Sequence, residues 1–134
     1  PDYSSAASDV YKRQEENKFC YKAASFHTTK LIQERLGLNA DKCITCFQSR
    51  LTKNWLTPFT DSVLEELAAN NQKKILVLAP AFTADNLETL IEIDDEYKEL
   101  FVEAGGDTLD FVESLNDDEE WVQAIINILG ETNV

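Results

Sequence analysis

The stretch from Lys74 to Glu103, KILVLAPAFTADNLETLIEIDDEYKELFVE, constrains the fold more than any other part of the chain. Lys74–Ala79 is short, β-branched and apolar on both faces, as a central parallel strand is. Pro80–Ala84 makes a tight junction, and a long helix is expected from about Asp85. At 3.6 residues per turn, Leu90, Ile93, Tyr97, Leu100, Phe101 and Ala104 fall on one side of it. Glu88, Glu92, Asp95, Glu96, Glu99 and Glu103 fall on the other. A strand that runs straight into such a helix brings carboxylates to the carboxyl edge of an α/β sheet, where ligands of such sheets bind.

The remaining segments fit the same scheme. Glu15–Leu36 reads as a helix, with Cys20, Ala24, His27 and Leu31 at 4-3-4 spacing and Gly37 as its stop. Cys43–Gln48 reads as a first strand and Ser49–Phe59 as a loop carrying Arg50, Lys53, Trp55 and Pro58. Thr60 or Asp61 caps a helix to about Ala69, with Val63, Leu64 and Leu67 inward, and Asn70-Asn71 ends it. Gly105-Gly106 ends the long helix and Thr108–Val112 forms a third strand. Asn116 with Glu119 three residues on has the form of a capping box. It opens a last helix over 117–129 with Trp121, Ile125, Ile128 and Leu129 inward. The order α-β-α-β-α-β-α with short connections predicts a parallel, doubly wound α/β sheet. Residues 1–14 are small, polar and without period. They read as a disordered tail of non-native read-through, outside a domain spanning 15–134 whose first helix (15–37) is a linker.

The net charge of −13 is concentrated. Residues 85–120 hold fifteen acidic groups against the single base Lys98, and the rest of the chain is close to neutral. Nucleic acid, whose phosphates need basic partners, is disfavoured, and a cation suits the surface better. No apolar run approaches the ~20 residues of a membrane span, and no secretory leader is visible. The expectation is therefore a cytoplasmic chain without a transmembrane segment, with peripheral membrane contact left open. The G-x-G-x-x-G and G-x-x-x-x-G-K phosphate loops are absent, and one histidine supplies no Ser-His-Asp set. Cys20, Cys43 and Cys46 make an odd set. On a strand, Cys43 and Cys46 point to opposite faces, so they are expected to be structural thiols. An iron–sulfur cluster is not expected, since it needs four ligands. His27, alone on a helix face, is expected to be packed or solvent-facing.

The acidic stripe has two readings. Asp85 as N-cap with Glu88 as its N3 partner would make a capping box, and acids in a first turn suit the helix dipole. An acidic helix face is also usually just solvated. Against this, Glu88, Glu92 and Glu96 are like charges four residues apart. Each such pair costs roughly 0.2–0.5 kcal/mol, and no lysine lies among them. A base and an indole on the loop, Arg50 and Trp55, suit a flat anionic ligand, although an ordinary loop with Trp55 folded inward reads equally well.

CFQSRLTKNWLTPFTD (46–61), APAFTADNLETLIEIDDEY (79–97) and ESLND (113–117) together resemble the C-terminal half of a ferrochelatase. The resemblance covers nearly all of residues 15–134, in order. It implies a Rossmann-like, three-layer α/β/α domain with a parallel sheet, one half of a two-domain enzyme. The activity implied is insertion of ferrous iron into a porphyrin in haem biosynthesis, with no cofactor beyond the iron substrate. The Glu of D-x-x-E-T-L, here Glu88, is implied as the catalytic carboxylate and a metal contact, with Glu92 and Glu96 continuing the metal path. Arg50, Trp55 and Asn86 are implied at the porphyrin. A π-type irregularity is associated with the long helix in this family. The partners implied are porphyrin, ferrous iron and the N-terminal half of the same enzyme, which carries the catalytic histidine in a motif of the form x-H-G-x-P.

This sequence departs from the family pattern in three places. The histidine motif is absent and His27 does not replace it. The loop Arg50-Leu-Thr-Lys-Asn-Trp55 lacks the usual Gly and Pro and is one residue short. Asn86 stands where relatives often carry His or Cys. On this reading the chain is a fragment, inactive by itself. The alternatives are a related tetrapyrrole chelatase for another divalent metal, or a non-enzymatic acidic α/β interaction domain. A receiver-like module is disfavoured because the strand ending at Ala79 supplies no aspartate there.

Overall fold

The computed structural model describes residues 20–48 and 55–131, which fall into two compact units, residues 1–63 and 64–134. The tail 1–14, the start of the first helix and Arg50 lie outside the described residues.

In the first unit, helix α1 (Tyr21–Leu36) ends at Gly37, whose φ of 64° lets the Leu38 N–H reach back to the Gln33 carbonyl at 3.0 Å. Its buried residues are Ala23 and Phe26, while Cys20, Ala24, His27 and Leu31 are exposed. The 4-3-4 spacing therefore marked the wrong face. Phe26, with more apolar surface to bury, turns inward onto the buried Phe47 (centroids 6.5 Å apart, edge-on), and Tyr21 joins the same ring at 6.4 Å. The Thr29 hydroxyl is hydrogen-bonded to that of Thr45 at 2.8 Å.

Cys43–Gln48 does not form the expected strand. A 3-10 turn over Ala40–Lys42, capped by the Asn39 side chain on the Asp41 N–H, takes the Cys43 N–H. Beyond it only Phe47 pairs, through one parallel bridge to Phe59: its N–H reaches Pro58 O at 2.9 Å, and Thr60 N–H returns to Phe47 O at 3.1 Å. A strand exists only where a partner offers a matching row of donors and acceptors, and here the row is one residue long. Cys43 and Cys46 are half-buried free thiols. Burial pushes the Cys46 thiol above its ordinary range, against the Thr60 hydroxyl donating to its sulfur at 3.4 Å, which suits a structural role.

Helix α2 (Thr60–Ala69) begins in the first unit and ends in the second. Thr60 lies inside it with its hydroxyl on Cys46, so it does not cap. Asn71, at φ 62°, ends it by giving Ala68 and Leu67 carbonyls the N–H groups of Asn71 and Gln72.

The second unit is a parallel βαβ unit. Strand β1 (Lys74–Leu78) pairs with β2 (Thr108–Val112) in register from Lys74↔Thr108 to Leu78↔Val112. Between them run a π-helix (Glu88–Glu96) and helix α3 (Tyr97–Glu103). The core is Leu64 and Ala68 of α2, Phe101 of α3 and Leu109 of β2. Leu67, Ile75, Val77, Tyr97 and Leu100 pack around it, with Phe101 and Leu109 wholly buried. Both helices thus cover the face of the sheet that carries Ile75 and Val77. The other face is apolar too, but Leu76 is 64% exposed and Leu78 and Val112 are also open. This is an α/β fold with a parallel sheet, as expected, with one sheet face covered among the described residues.

Helix α3 closes by a double hydrogen bond: Gly106 N–H to Phe101 O at 2.9 Å and Gly105 N–H to Val102 O at 3.0 Å, with Gly105 at φ 104°. The Lys73 ammonium also donates to the Gly105 carbonyl. Gly106 is required for a second reason, since a Cβ there would overlap the Phe101 ring. The last helix, α4 (Glu119–Glu131), is capped by Asp118, whose Oδ1 accepts from Glu120 and Trp121 N–H at 2.9 and 3.1 Å, not by Asn116. Of its expected inward residues Trp121 is half-buried, whereas Ile125, Ile128 and Leu129 are exposed.

Phe101→Ala should cost about 3–5 kcal/mol and Gly106→Ala about 1–3 kcal/mol through overpacking. Denaturant unfolding measures both, and a Gly106→Ala variant as stable as the parent would contradict the close contact.

Candidate functional site

The chain leaves β1 at Leu78, turns at Pro80-Ala81 with Phe82 N–H on Ala79 O at 3.0 Å, and reaches Asp85. The helix begins with a reciprocal cap. Asn86 Oδ1 accepts from the N–H of Glu88 at 2.8 Å and of Thr89 at 3.2 Å. In return Thr89 Oγ1 accepts from Asn86 N–H at 2.9 Å. This is a capping box one residue later than the expected Asp85/Glu88 pair, with threonine as the third-position partner. The consequence for Glu88 is direct. Its carboxylate is not needed by the cap, and among the described residues it has no hydrogen-bond or ion-pair partner. It sits half-buried at the start of the π-helix.

Asp85 does a different task. Its carboxylate accepts from Asn116 Nδ2 at 2.8 Å, Ser114 N–H at 3.1 Å and the wholly buried Thr89 hydroxyl at 3.2 Å. Its own N–H is donated to Asn116 Oδ1 at 2.9 Å, and Asn116 N–H reaches Thr83 O at 2.9 Å. Asn116 holds φ 49°, a left-handed conformation that asparagine tolerates well. The Asn116 amide is the main reason the Asp85 carboxyl lies below its usual range. Partial burial opposes it, and the Ser114 N–H, the nearby Ser114 hydroxyl and Thr89 add to it. Asp85 and Asn116 thus join the two sequence stretches 79–97 and 113–117.

The π winding decides which side chains face in. The Tyr97 N–H bonds to Glu92 O, five residues back. A helix closed this way has more than four residues per turn, so residues four apart stay nearly in line. Thr89, Ile93, Tyr97 and Phe101 accordingly form the inward seam, the first, second and last of them buried. Leu90, placed inward by a 3.6-residue wheel, is 52% exposed, and Ala104 is exposed as well. Glu88, Glu92 and Glu96 precede the first three seam residues by one position each, so they form a parallel line along its border. Glu88 is half-buried, and Glu92 and Glu96 are exposed.

These carboxylates follow a line instead of converging. Among the described residues no three His, Cys, Asp or Glu side chains come close enough to enclose a metal ion. A file of this kind can bind a hydrated cation loosely or hand on protons, but does not cage a dehydrated metal. Asn86 has its side-chain oxygen committed to the cap. Trp55 is half-buried in the first unit. Spacing and resemblance single out Glu88, Glu92 and Glu96, which the structure sets in a line, but they do not reveal the hydrogen bonds among Asp85, Thr89 and Asn116. The only signal for those three was the recurrence of short polar residues at the two ends of the βαβ unit.

Because its folded-state pKa is depressed, Asp85 contributes stability that is fully present above its unfolded value of about 4 and is lost as pH falls through the folded value. Asp85→Asn should therefore remove part of the acid limb of a stability–pH profile while leaving the slope between pH 6 and 8 unchanged. Urea midpoints measured from pH 2.5 to 8 check this, and an unaltered acid limb would contradict it.

A family model described as Ferrochelatase matches residues 5–133, starting inside the stretch 1–14 that composition set aside. The chain is 48% identical over 107 residues to a ferrochelatase of Ectopseudomonas mendocina (strain ymp), covering 79% of this chain and 32% of that protein. It is 48% identical over 110 residues to one of Pseudomonas fluorescens (strain Pf0-1), covering 81% and 32%. A coproporphyrin III ferrochelatase of Lactococcus lactis subsp. cremoris (strain SK11) is 40% identical over 118 residues, covering 87% and 37%. The chain thus spans about a third of the length of the curated relatives it matches. With a family model matched over nearly its whole length, the chain belongs to the ferrochelatase family.

Proposed function

We propose that this chain is the C-terminal part of a longer polypeptide that inserts ferrous iron into a porphyrin in haem biosynthesis, and that Glu88 is its reacting carboxylate. The observation that carries the reading is the cap. Asn86 and Thr89 satisfy the helix start between them and leave Glu88 half-buried, its carboxylate uncommitted among the described residues.

Metallation exchanges two pyrrole protons for a dication that sheds its water. The two pyrrole N–H groups of the porphyrin plus Fe²⁺ give the iron(II) porphyrin and two protons, with no change in oxidation state. Glu88 accepts a pyrrole proton or holds the cation at the macrocycle. Glu92 and Glu96, outward along the same line, pass protons away or guide hydrated iron inward. Oxygen ligands suit a hard dication at that stage, and loose binding lets it move on. Arg50 and Trp55 contact the porphyrin, the guanidinium on a propionate and the indole on the ring face, and Asn86 is a third porphyrin contact. The histidine that faces Glu88 belongs to the N-terminal half. That half also covers apolar surface such as Leu76 and Leu78. The isolated chain is accordingly inactive. Among the described residues no helix is long and apolar enough to cross a membrane, which fits a cytoplasmic enzyme.

In the complete polypeptide, Glu88→Gln should lower kcat for iron insertion by about 10²- to 10⁴-fold, with porphyrin binding retained. Steady-state formation of the iron porphyrin, alongside porphyrin fluorescence titration, measures the two. Full activity of Glu88→Gln would reject the assignment. Glu92→Gln and Glu96→Gln should act mainly on the apparent KM for iron.

A further inference from the structure

We infer that Asn116 is a positioning residue for Glu88, acting through Asp85. The inference rests on the reading of Glu88 as the reacting carboxylate. Three observations carry it. Among the described residues, Asn116 is the one side chain that both donates to and accepts from residue 85, at 2.8 and 2.9 Å. Its left-handed backbone, φ 49°, is what turns the amide back toward Asp85, while its N–H fixes Thr83 just upstream. Asp85 in turn accepts from the Thr89 hydroxyl at 3.2 Å, sharing its proton with the Asn86 carbonyl at 3.1 Å, and Thr89 completes the cap with Asn86 that sets the direction of the first helical turn, on which Glu88 stands. The path from Asn116 to Glu88 is therefore four consecutive hydrogen-bonded links, all in one compact unit. Side-chain amides and carboxylates locked in this way have one arrangement, so the carboxylate of Glu88 starts from a fixed point. A displacement of an ångström at a reacting group costs on the order of 100-fold in rate.

The geometry allows a clean test, because residues 85 and 116 can exchange chemistry. In Asn116→Asp, a carboxylate faces the Asp85 carboxylate and the donor at 2.8 Å is lost. In the double variant Asp85→Asn with Asn116→Asp, the donor simply moves to the other side. Asn at 85 still accepts from Ser114 N–H and Thr89 Oγ1 and now donates to Asp at 116, which still accepts the residue 85 N–H. Every link is remade, but the negative charge has moved from 85 to 116.

The experiment is done on the complete polypeptide. It combines steady-state kinetics, thermal unfolding and amide hydrogen exchange of residues 85–92. Asn116→Asp should lower kcat by about 30- to 100-fold with porphyrin KM changed less than about threefold, at temperatures well below melting. Exchange of the Glu88 and Thr89 amides should speed up by about fivefold to tenfold. The exchanged pair should recover kcat to within about tenfold of the parent and restore slow exchange. If Asn116→Asp keeps the parent kcat, Asn116 positions nothing and the inference falls. If the exchanged pair restores slow amide exchange but not kcat, the charge at 85 acts by itself and the inference also falls. Failure of the underlying reading looks different: Glu88→Gln would then be fully active. Hydrogen exchange in Asn116→Asp still decides the link from 116 to 88 in that case, and unchanged protection would overturn it.

Discussion

Asp85 carries one negative charge that three donors share: the Asn116 amide, the Ser114 N–H and the Thr89 hydroxyl. The loop after β1, the start of the π-helix and the turn after β2 are tied at this single carboxylate. Without it the βαβ unit would still have its core of Leu64, Ala68, Phe101 and Leu109. What it would lose is definition at the carboxyl edge of the sheet, where an α/β fold places its chemistry. Hydrogen bonds to an ionised acceptor are stronger than neutral ones, so the arrangement concentrates rigidity at the helix start on which Glu88 stands.

The acidic character of the segment takes on a different aspect in this light. Fifteen acidic groups between residues 85 and 120 look uniform in sequence. In the fold they separate into kinds. Asp85 is structural and fully used. Asp118 caps α4. Glu88 is half-buried and uncommitted, and Glu92 and Glu96 continue outward from it. Charge alone does not distinguish these, because the distinction lies in which backbone N–H groups each carboxylate meets.

Much of this was legible in the sequence. The strands at Lys74–Leu78 and Thr108–Val112, the stops at Gly37, Asn71 and Gly105-Gly106, and the parallel α/β scheme follow from patterns that act over a few residues. The failures involve partners and geometry that a local pattern does not show. Asn86 outcompeted Asp85 for the cap because Asp85 had distant donors to satisfy, thirty residues ahead and invisible locally. Asn116 was read as a cap for the same reason, its partner being Asp85. A 3.6-residue period places Leu90 inward, but the π winding hands its place to Thr89. Cys43–Gln48 has strand-like composition but only one residue finds a pairing partner. In α1 the size of Phe26 outweighed a regular spacing of smaller groups. Of the candidate site, the glutamates could be picked out by spacing and resemblance, while the hydrogen bonds of Asp85, Thr89 and Asn116 at the helix start could not.

The π winding between Glu88 and Glu96 has a consequence for how this segment tolerates insertion and deletion. A π turn is an α-helix that has taken in an additional residue without breaking its hydrogen-bonded ladder. Removing one residue there would let ordinary winding return, and the core end at Phe101 could keep its place. Within the segment, residues four apart would then step round the axis by about 40° each instead of staying nearly in line. The glutamate line would be swung off the border of the buried seam. A length change that hardly touches folding would thus erase the alignment of the acids. In this stretch the residue count, and not only residue identity, encodes the site.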